Sequence, residues 1–350
     1  MLKILNIQDS IVDVFNGYAS TISIIIDKPE GEKWFVQNYL NYMTTYDSDY
    51  SQVVSDYFYS DFTYNSAINF YQPENIINLP YDCYSASTLE VQDIIKFIKE
   101  KINMGFYLCF FVNLKYLKSY NQKEDFIHDI FVYGYDDEKE IIYATGYNHN
   151  GKYSFFEHKY NEIAMAYENC NVSSFNHDYF DTKKISYFKY RVNFKYNFNL
   201  INFIATLKEY SNIYHCQTHA RRFICRTGEK SSGKTAYGID SIKVLIEYFK
   251  DWNDSKELDL RQIYFLYNHK INMEFKIKYL LKNKYLVDES ILEQYREIIQ
   301  ISKICLNLSI KYSLKGDIEY SNKIIAFLEE FYKKEKDTLS KLVEALEKLC

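Results

Sequence analysis

Seven cysteines and seven histidines are the residues of this chain best suited to nucleophilic or metal chemistry. A cysteine nucleophile needs an imidazole to draw off its proton, and often a third polar group to orient that ring. His128 meets the first demand. It stands in an apolar segment, Phe126–Tyr135 (FIHDIFVYGY), with a second apolar segment before it and a returning one after it. On a strand His128 shares a face with Ile130 and Val132, while Asp129 points the other way. The bland alternative is a hydrogen-bonded core histidine. Cys83, in Pro80-Tyr81-Asp82-Cys83-Tyr84-Ser85, lies ahead of a predicted helix, whose N-terminus would lower the thiol pKa. Its alternative role is that of a small packing residue.

Two further clusters lie close together. Gly228-Glu229-Lys230-Ser231-Ser232-Gly233-Lys234-Thr235 satisfies GxxxxGK[ST] in full. Such a loop cradles phosphates with backbone N–H groups, with Lys234 on the terminal phosphates and Thr235 on Mg²⁺. It needs a strand before it, a helix after it and a parallel sheet around it. Arg222–Cys225 is a poor strand, and no later apolar run ends in an acidic residue, so a polar inter-domain loop is the competing account. His215-Cys216-Gln217-Thr218-His219, with Cys225 beyond, offers two imidazoles and two thiols to a tetrahedral Zn²⁺. The usual ligand spacing is absent and Arg221, Arg222 and Arg226 flank the cluster, which also suits a basic surface segment. Neither reading leads us to expect a cofactor or metal.

The elements that must position these groups follow from periodicity. Gly105–Leu114 reads as a buried strand. Phe126–Tyr135, the polar turn from Asp136 to Lys139, and Glu140–Gly146 form an antiparallel hairpin. Lys152–Phe156 adds a short strand, and Ile185–Tyr196 alternates as another. Asp93–Ile102 and Tyr160–Cys170 carry helical spacing. After Gly238 nearly everything is helical: Ile239–Phe249, Asp259–Leu281, Glu289–Leu314, and a last amphipathic helix after a break at Lys315-Gly316-Asp317. The reading is therefore α+β. Residues 1–200 form a domain with helices packed on an antiparallel sheet, 201–238 a polar linker, and 239–350 an all-helical domain.

Composition narrows the function classes. Of 350 residues, 47% are hydrophobic and 25% charged, as in globular proteins, which excludes a wholly disordered chain. A net charge of −5 does not suit a protein that lives on nucleic acid or an anionic membrane. The apolar stretch 105–114 is half of the ~20 residues a membrane span needs. The N-terminus, MLKILNIQDS, has no signal-peptide core, and the irregularly spaced cysteines include no CxxC. Reduced thiols in a cytoplasm are expected. The 37 Tyr and 25 Phe fit either A/T-rich coding or an aromatic-lined cleft.

His128–Asp137, Glu140–Tyr147, Gly151–Phe155 and Tyr160–Tyr167 together resemble the catalytic-histidine half of a papain-like family of bacterial peptide natural-product biosynthesis. That family includes butirosin acyltransferase-like and closthioamide synthetase-like proteins. Tyr237-Gly238-Ile239-Asp240, Asp259-x-Arg261 and His269-Lys270-x-x-Met273 resemble its helical C-terminal part. The resemblance implies a papain-like domain and an acyl group taken by a cysteine from a carrier-protein thioester, then passed to an amine. An acyl or peptidyl carrier protein and an amine substrate are the partners it implies. The nucleophile belongs at Asn16-Gly17-Tyr18, where the family pattern N-C-Y opens a helix, yet this chain has Gly17. The third member, an Asp or Asn on the strand after the histidine, aligns near Thr145, Gly146 and Tyr147, with Asn148 just beyond. A glycine cannot be acylated. Either thioester chemistry is lost, leaving a thioester- or peptide-binding scaffold, or another group such as Cys83 replaces the nucleophile. A P-loop NTPase through Gly228–Thr235 is the remaining alternative.

Overall fold

A computed structural model of the chain describes residues 1–50, 53–58, 79–170, 184–212, 234–251 and 258–349. The chain is mixed α+β and divides into two compact units that interleave in sequence. One comprises residues 1–32 and 68–196, the other 33–67 and 197–350. This differs from the expected partition in two ways: the early segment 33–67 joins the C-terminal helices, and the stretch expected as a polar linker carries the helix Leu200–Tyr210 and the strand Lys234–Tyr237.

The first unit is built on a seven-stranded antiparallel sheet in the order β4-β9-β5-β6-β7-β8. These are β4 (Tyr81–Ser87), β5 (Tyr107–Asn113), β6 (Ile127–Asp136), β7 (Ile141–Tyr147), β8 (Tyr153–Lys159) and β9 (Lys184–Tyr190), while β1 (Leu2–Ile4) pairs with the far end of β6. The hairpin read at Phe126–Gly146 is β6–β7. Its turn is held by Asp136, whose Oδ1 accepts from the N–H of Glu138 at 2.9 Å.

Strand β5 is buried along its whole length, so both its faces are apolar. Leu108, Phe110 and Val112 join Ile130, Val132, Ile142 and Ala144 on one face. Helix α3 (Ile94–Asn103) covers that face with Ile94, Ile98 and Ile102, spaced i, i+4, i+8. Asp93 starts it, accepting from the N–H of Lys96 at 2.9 Å. Helix α4 (Tyr160–Glu168) adds Ile163 and Ala166. On the other face Phe131 stacks between Tyr107 and Phe188, at 5.6 and 5.4 Å, and α1 (Asn16–Ile25) packs against β6 and β7.

Two expectations change here. Cys83 does not stand at a helix N-terminus. It sits in the middle of β4, opposite Phe188 of β9, because the segment pairs as a sheet edge. The alternation read through Tyr196 ends at Tyr190, and Val192 is exposed beyond the last paired residue.

The second unit has a three-stranded antiparallel sheet, β10-β2-β3, formed by β2 (Asn41–Tyr46), β3 (Val53–Phe58) and β10 (Lys234–Tyr237). Its helices are the end of α2 (Pro29–Asn38), α5 (Leu200–Tyr210), α6 (Ser241–Asp251), α7 (Arg261–Lys282), α8 (Ser290–Lys315) and α9 (Ile318–Glu347). The break read at residues 315–317 is a left-handed Gly316 (φ 68°), followed by Asp317, whose carboxylate accepts from the N–H of Glu319 at 2.9 Å. Among the described residues no helix is long and apolar enough to cross a membrane.

Helix α7 explains why an early segment belongs to this unit. Gln262 accepts from the N–H of Ser55 at 2.8 Å. His269 Nε2 donates to Leu40 O at 2.7 Å, Asn272 to Tyr39 O at 2.7 Å and Lys276 to Phe35 O at 3.2 Å. The Tyr39 and Leu40 carbonyls lie just beyond the end of α2, and the Phe35 carbonyl lies in its last turn, where it also accepts from the Tyr39 N–H at 3.0 Å. On the same helix the fully buried Lys270 meets the fully buried Glu335 of α9 at 2.6 Å. Tyr210 and Tyr295 donate to the same Glu335 oxygen at 3.0 and 2.7 Å. Burial pulls the Lys270 pKa down, against the attraction of Glu335.

Removing one member of a buried pair leaves an uncompensated charge. Glu335→Leu should therefore cost about 3–5 kcal/mol in urea unfolding, and adding Lys270→Met should restore most of it. A single substitution that leaves the transition midpoint unmoved would show that this pair does not anchor the unit.

Candidate functional site

His128 and Asp129 open β6, where α1 begins beside the sheet. His128 Nδ1 lies 2.8 Å from Asp129 Oδ1 and 3.1 Å from the Asp129 backbone oxygen. Strand alternation sends Ile130 and Val132 to the α3 face and Phe131 to the α1 face, as expected. It does not keep Asp129 away from the ring. At the strand's start the imidazole turns back along the backbone and takes both Asp129 oxygens. The ring is 34% exposed and the carboxylate 14%, so the imidazole meets solvent while its partner is shielded. With Nδ1 engaged, Nε2 is the nitrogen that faces chemistry.

Asp129 is held from the helix side. Asn16, the first residue of α1, is buried, and its Nδ2 donates to Asp129 O at 3.2 Å. Ser20, one turn on, donates to Asn16 O at 2.6 Å and Asn16 Oδ1 at 3.3 Å, which turns the amide nitrogen toward the strand. Cys109 Sγ of β5 lies 3.6 Å from Asp129 Oδ2. Tyr147 Oη donates to Asp13 O at 2.6 Å and ties the end of β7 to the segment entering α1. The imidazole lies between the Phe126 ring, nearly parallel at 5.9 Å, and the Tyr147 ring, edge-on at 6.1 Å.

The electrostatics follow from these contacts. Burial pushes the His128 pKa down, but the hydrogen bond and charge of Asp129 outweigh it, and the net direction is up. Burial alone would raise Asp129. His128 and Asn16 together hold it below the ordinary carboxylate range. The pair is an imidazole whose charged form is favoured by a fixed carboxylate, the arrangement that suits a general acid–base group.

The remaining sequence-derived candidates fall elsewhere. Gly17 follows Asn16 in the first turn of α1, half-buried, and supplies no side chain to the imidazole. Cys83 is separated from β6 by β9 and β5, roughly 14 Å at ~4.8 Å per strand, so its thiol does not reach His128. Asn148 does not orient the ring. Its Oδ1 accepts from the N–H groups of Asn150 and Lys152, at 2.9 and 3.0 Å, and its Nδ2 donates to Ser154, so its side chain is committed to the β7–β8 turn. Asp129 engages the imidazole instead, with Asn16 on its backbone oxygen and Cys109 beside its Oδ2. The sequence signal was an Asp adjacent to the histidine and an Asn directly before Gly17.

Lys234 and Thr235 lie in β10, paired with Tyr46 and Thr45, where a phosphate loop requires the start of a helix. Gly228 and Gly233 lie outside the described residues, as do His215, Cys216, His219 and Cys225. Among the described residues no group of three or more His, Cys, Asp or Glu side chains is placed to hold a metal ion.

Asp129→Asn should lower the His128 pKa, read by NMR titration of the ring. The raised folded-state value means that charged His128 adds stability below its unfolded pKa of about 6.5, and that this is lost as pH rises through the folded value. The Asn variant should flatten that part of the stability–pH curve, and an unshifted ring titration would contradict the pairing. No protein-family model matches the sequence, and neither does any curated protein with which it was compared.

Proposed function

We propose that this chain is a papain-like acyl-transfer or amide-forming protein that acts on carrier-bound acyl or peptidyl thioesters, using His128 as the base and no cysteine nucleophile. One observation carries the reading. The head of α1, where the family it resembles places its cysteine, is tied through Asn16 to the strand bearing His128 and Asp129, although 113 residues separate Asn16 from Asp129. Helices packed on an antiparallel sheet also support the papain-like assignment.

With Gly17 in the nucleophile position, the step consistent with the site is direct aminolysis. The amine nitrogen attacks the thioester carbonyl and His128 Nε2 takes the amine proton. The C–S bond breaks, and the imidazolium returns a proton to the departing thiolate. The products are an amide and a free carrier thiol. Asp129 stabilises the transient imidazolium and fixes the ring. Gly17 equally favours a second reading, a scaffold that binds the thioester without turning it over.

An acyl-carrier thioester and an amine, followed by intact-protein mass spectrometry and amide analysis, separate these. Wild type should form amide without an acylated protein, and His128→Ala should lose about 10²–10⁴-fold in rate. Gly17→Cys should acquire a covalent acyl adduct. Its negative φ accommodates a side chain. Stoichiometric binding without amide would leave the scaffold. Neither binding nor turnover would end the papain-like reading.

A further inference from the structure

Phe126 stands one residue before β6, and its ring lies nearly parallel to the His128 imidazole at 5.9 Å. The ring is 46% exposed and does not belong to the apolar core on the α3 face. Its backbone is nonetheless held on both sides. The Phe126 N–H donates to Asn113 Oδ1 at 3.2 Å, and its carbonyl accepts from the N–H of Leu114 at 2.8 Å. Asn113, the last residue of β5, is buried. Its Oδ1 also accepts from the N–H of Lys115 at 3.2 Å, and its Nδ2 donates to Asp125 Oδ1 at 3.0 Å and Asn169 O at 3.3 Å. Those four bonds use both acceptor positions and both donors of the amide. Across the imidazole, Tyr147 is fixed by its bond to Asp13 O and presents its ring edge.

An exposed phenylalanine by itself is ordinary. This one is locked by a buried, fully bonded asparagine and stands beside a part-exposed imidazole. The charge next to it in the chain is already matched, since Asp125 Oδ1 lies 3.2 Å from Lys115 Nζ. We propose that Phe126 is a specificity-determining residue, and that the acyl group handled at His128 is an apolar chain laid over the open face of the Phe126 ring. The inference rests on the acyl-transfer reading of His128 and names the substrate class of that site.

The selection is a matter of desolvation. A chain of several carbons covers the open ring and removes apolar surface from water on both partners. An acetyl group ends one carbon beyond the carbonyl and covers little of it. A chain ending in a carboxylate would have to shed its water against a ring that returns no hydrogen bond.

The test is isothermal titration of the full chain with acyl-pantetheine analogues in which NH replaces the thioester sulfur, so that nothing turns over. Octanoyl should bind at least about tenfold tighter than acetyl, and succinyl no tighter than acetyl. Phe126→Ala should bring the octanoyl-to-acetyl ratio close to one. Leu89→Ala, which trims an exposed leucine elsewhere in the same unit, should keep the wild-type ratio. The octanoyl analogue should also shift the His128 ring signals by NMR, which places the chain at this site. A wild-type ratio near one, a ratio that survives Phe126→Ala, an unmoved His128 ring, or no binding of any analogue would each overturn the proposal. Amide formation from an acyl-carrier thioester, in its own assay, then tells whether the acyl-transfer reading falls with it or stands with another acyl preference.

Discussion

One shielded carboxylate organises the candidate site. Asp129 engages the imidazole with a side-chain oxygen and its backbone oxygen, takes Cys109 Sγ on its other side-chain oxygen, and is bonded by Asn16 through that same backbone oxygen. A carboxylate in that position is costly unless its lone pairs are occupied, so the helix start, strand β5 and the ring are drawn to one point. That convergence decides which imidazole nitrogen is free. It also brings the first turn of α1, where Gly17 follows Asn16, beside the strand that carries the imidazole.

The two histidines of the first unit show how environment sorts identical side chains. His128 sits at a strand start beside an anion and is biased toward its charged form. His158 sits in hydrocarbon beside aromatic rings, and burial holds it neutral. A carboxylate partner eases one imidazole toward its charged form, whereas burial makes the other resist protonation.

The second unit solves the same problem of burying polar groups by another route. Helix α7 turns Gln262, His269, Asn272 and Lys276 toward backbone groups of residues 35–55, so its buried polar side chains serve as caps and ladder partners for an early segment. Lys270 and Glu335 cancel each other's charge where α7 meets α9, with two tyrosines completing one carboxylate oxygen. An alternation of apolar residues could not have produced this attachment. It depends on which hydrogen-bonding side chains fall on the inner stripe of one helix.

Local pattern determined a good deal. The β6–β7 hairpin, the helix at Asp93–Ile102, the Gly316–Asp317 break and the run of C-terminal helices were legible because turn chemistry, capping and helical periodicity act over a few residues. His128 could be singled out for its place on a strand between apolar neighbours. Its orienter could not. The strand's period of two sends Asp129 to the other face, and only the turned-back ring and the Asn16 contact, 113 residues away in sequence, bring the groups together. Cys83 and Asn148 were plausible from sequence and were removed as partners by sheet order and by turn geometry. Residues 33–67 read as part of the first domain, and buried polar contacts from α7 assigned them to the second unit. The sequence by itself determined what each short segment tends to form. The tertiary structure decided which distant polar groups satisfy one another, because desolvation is a property of the whole packed interior and not of any window of residues.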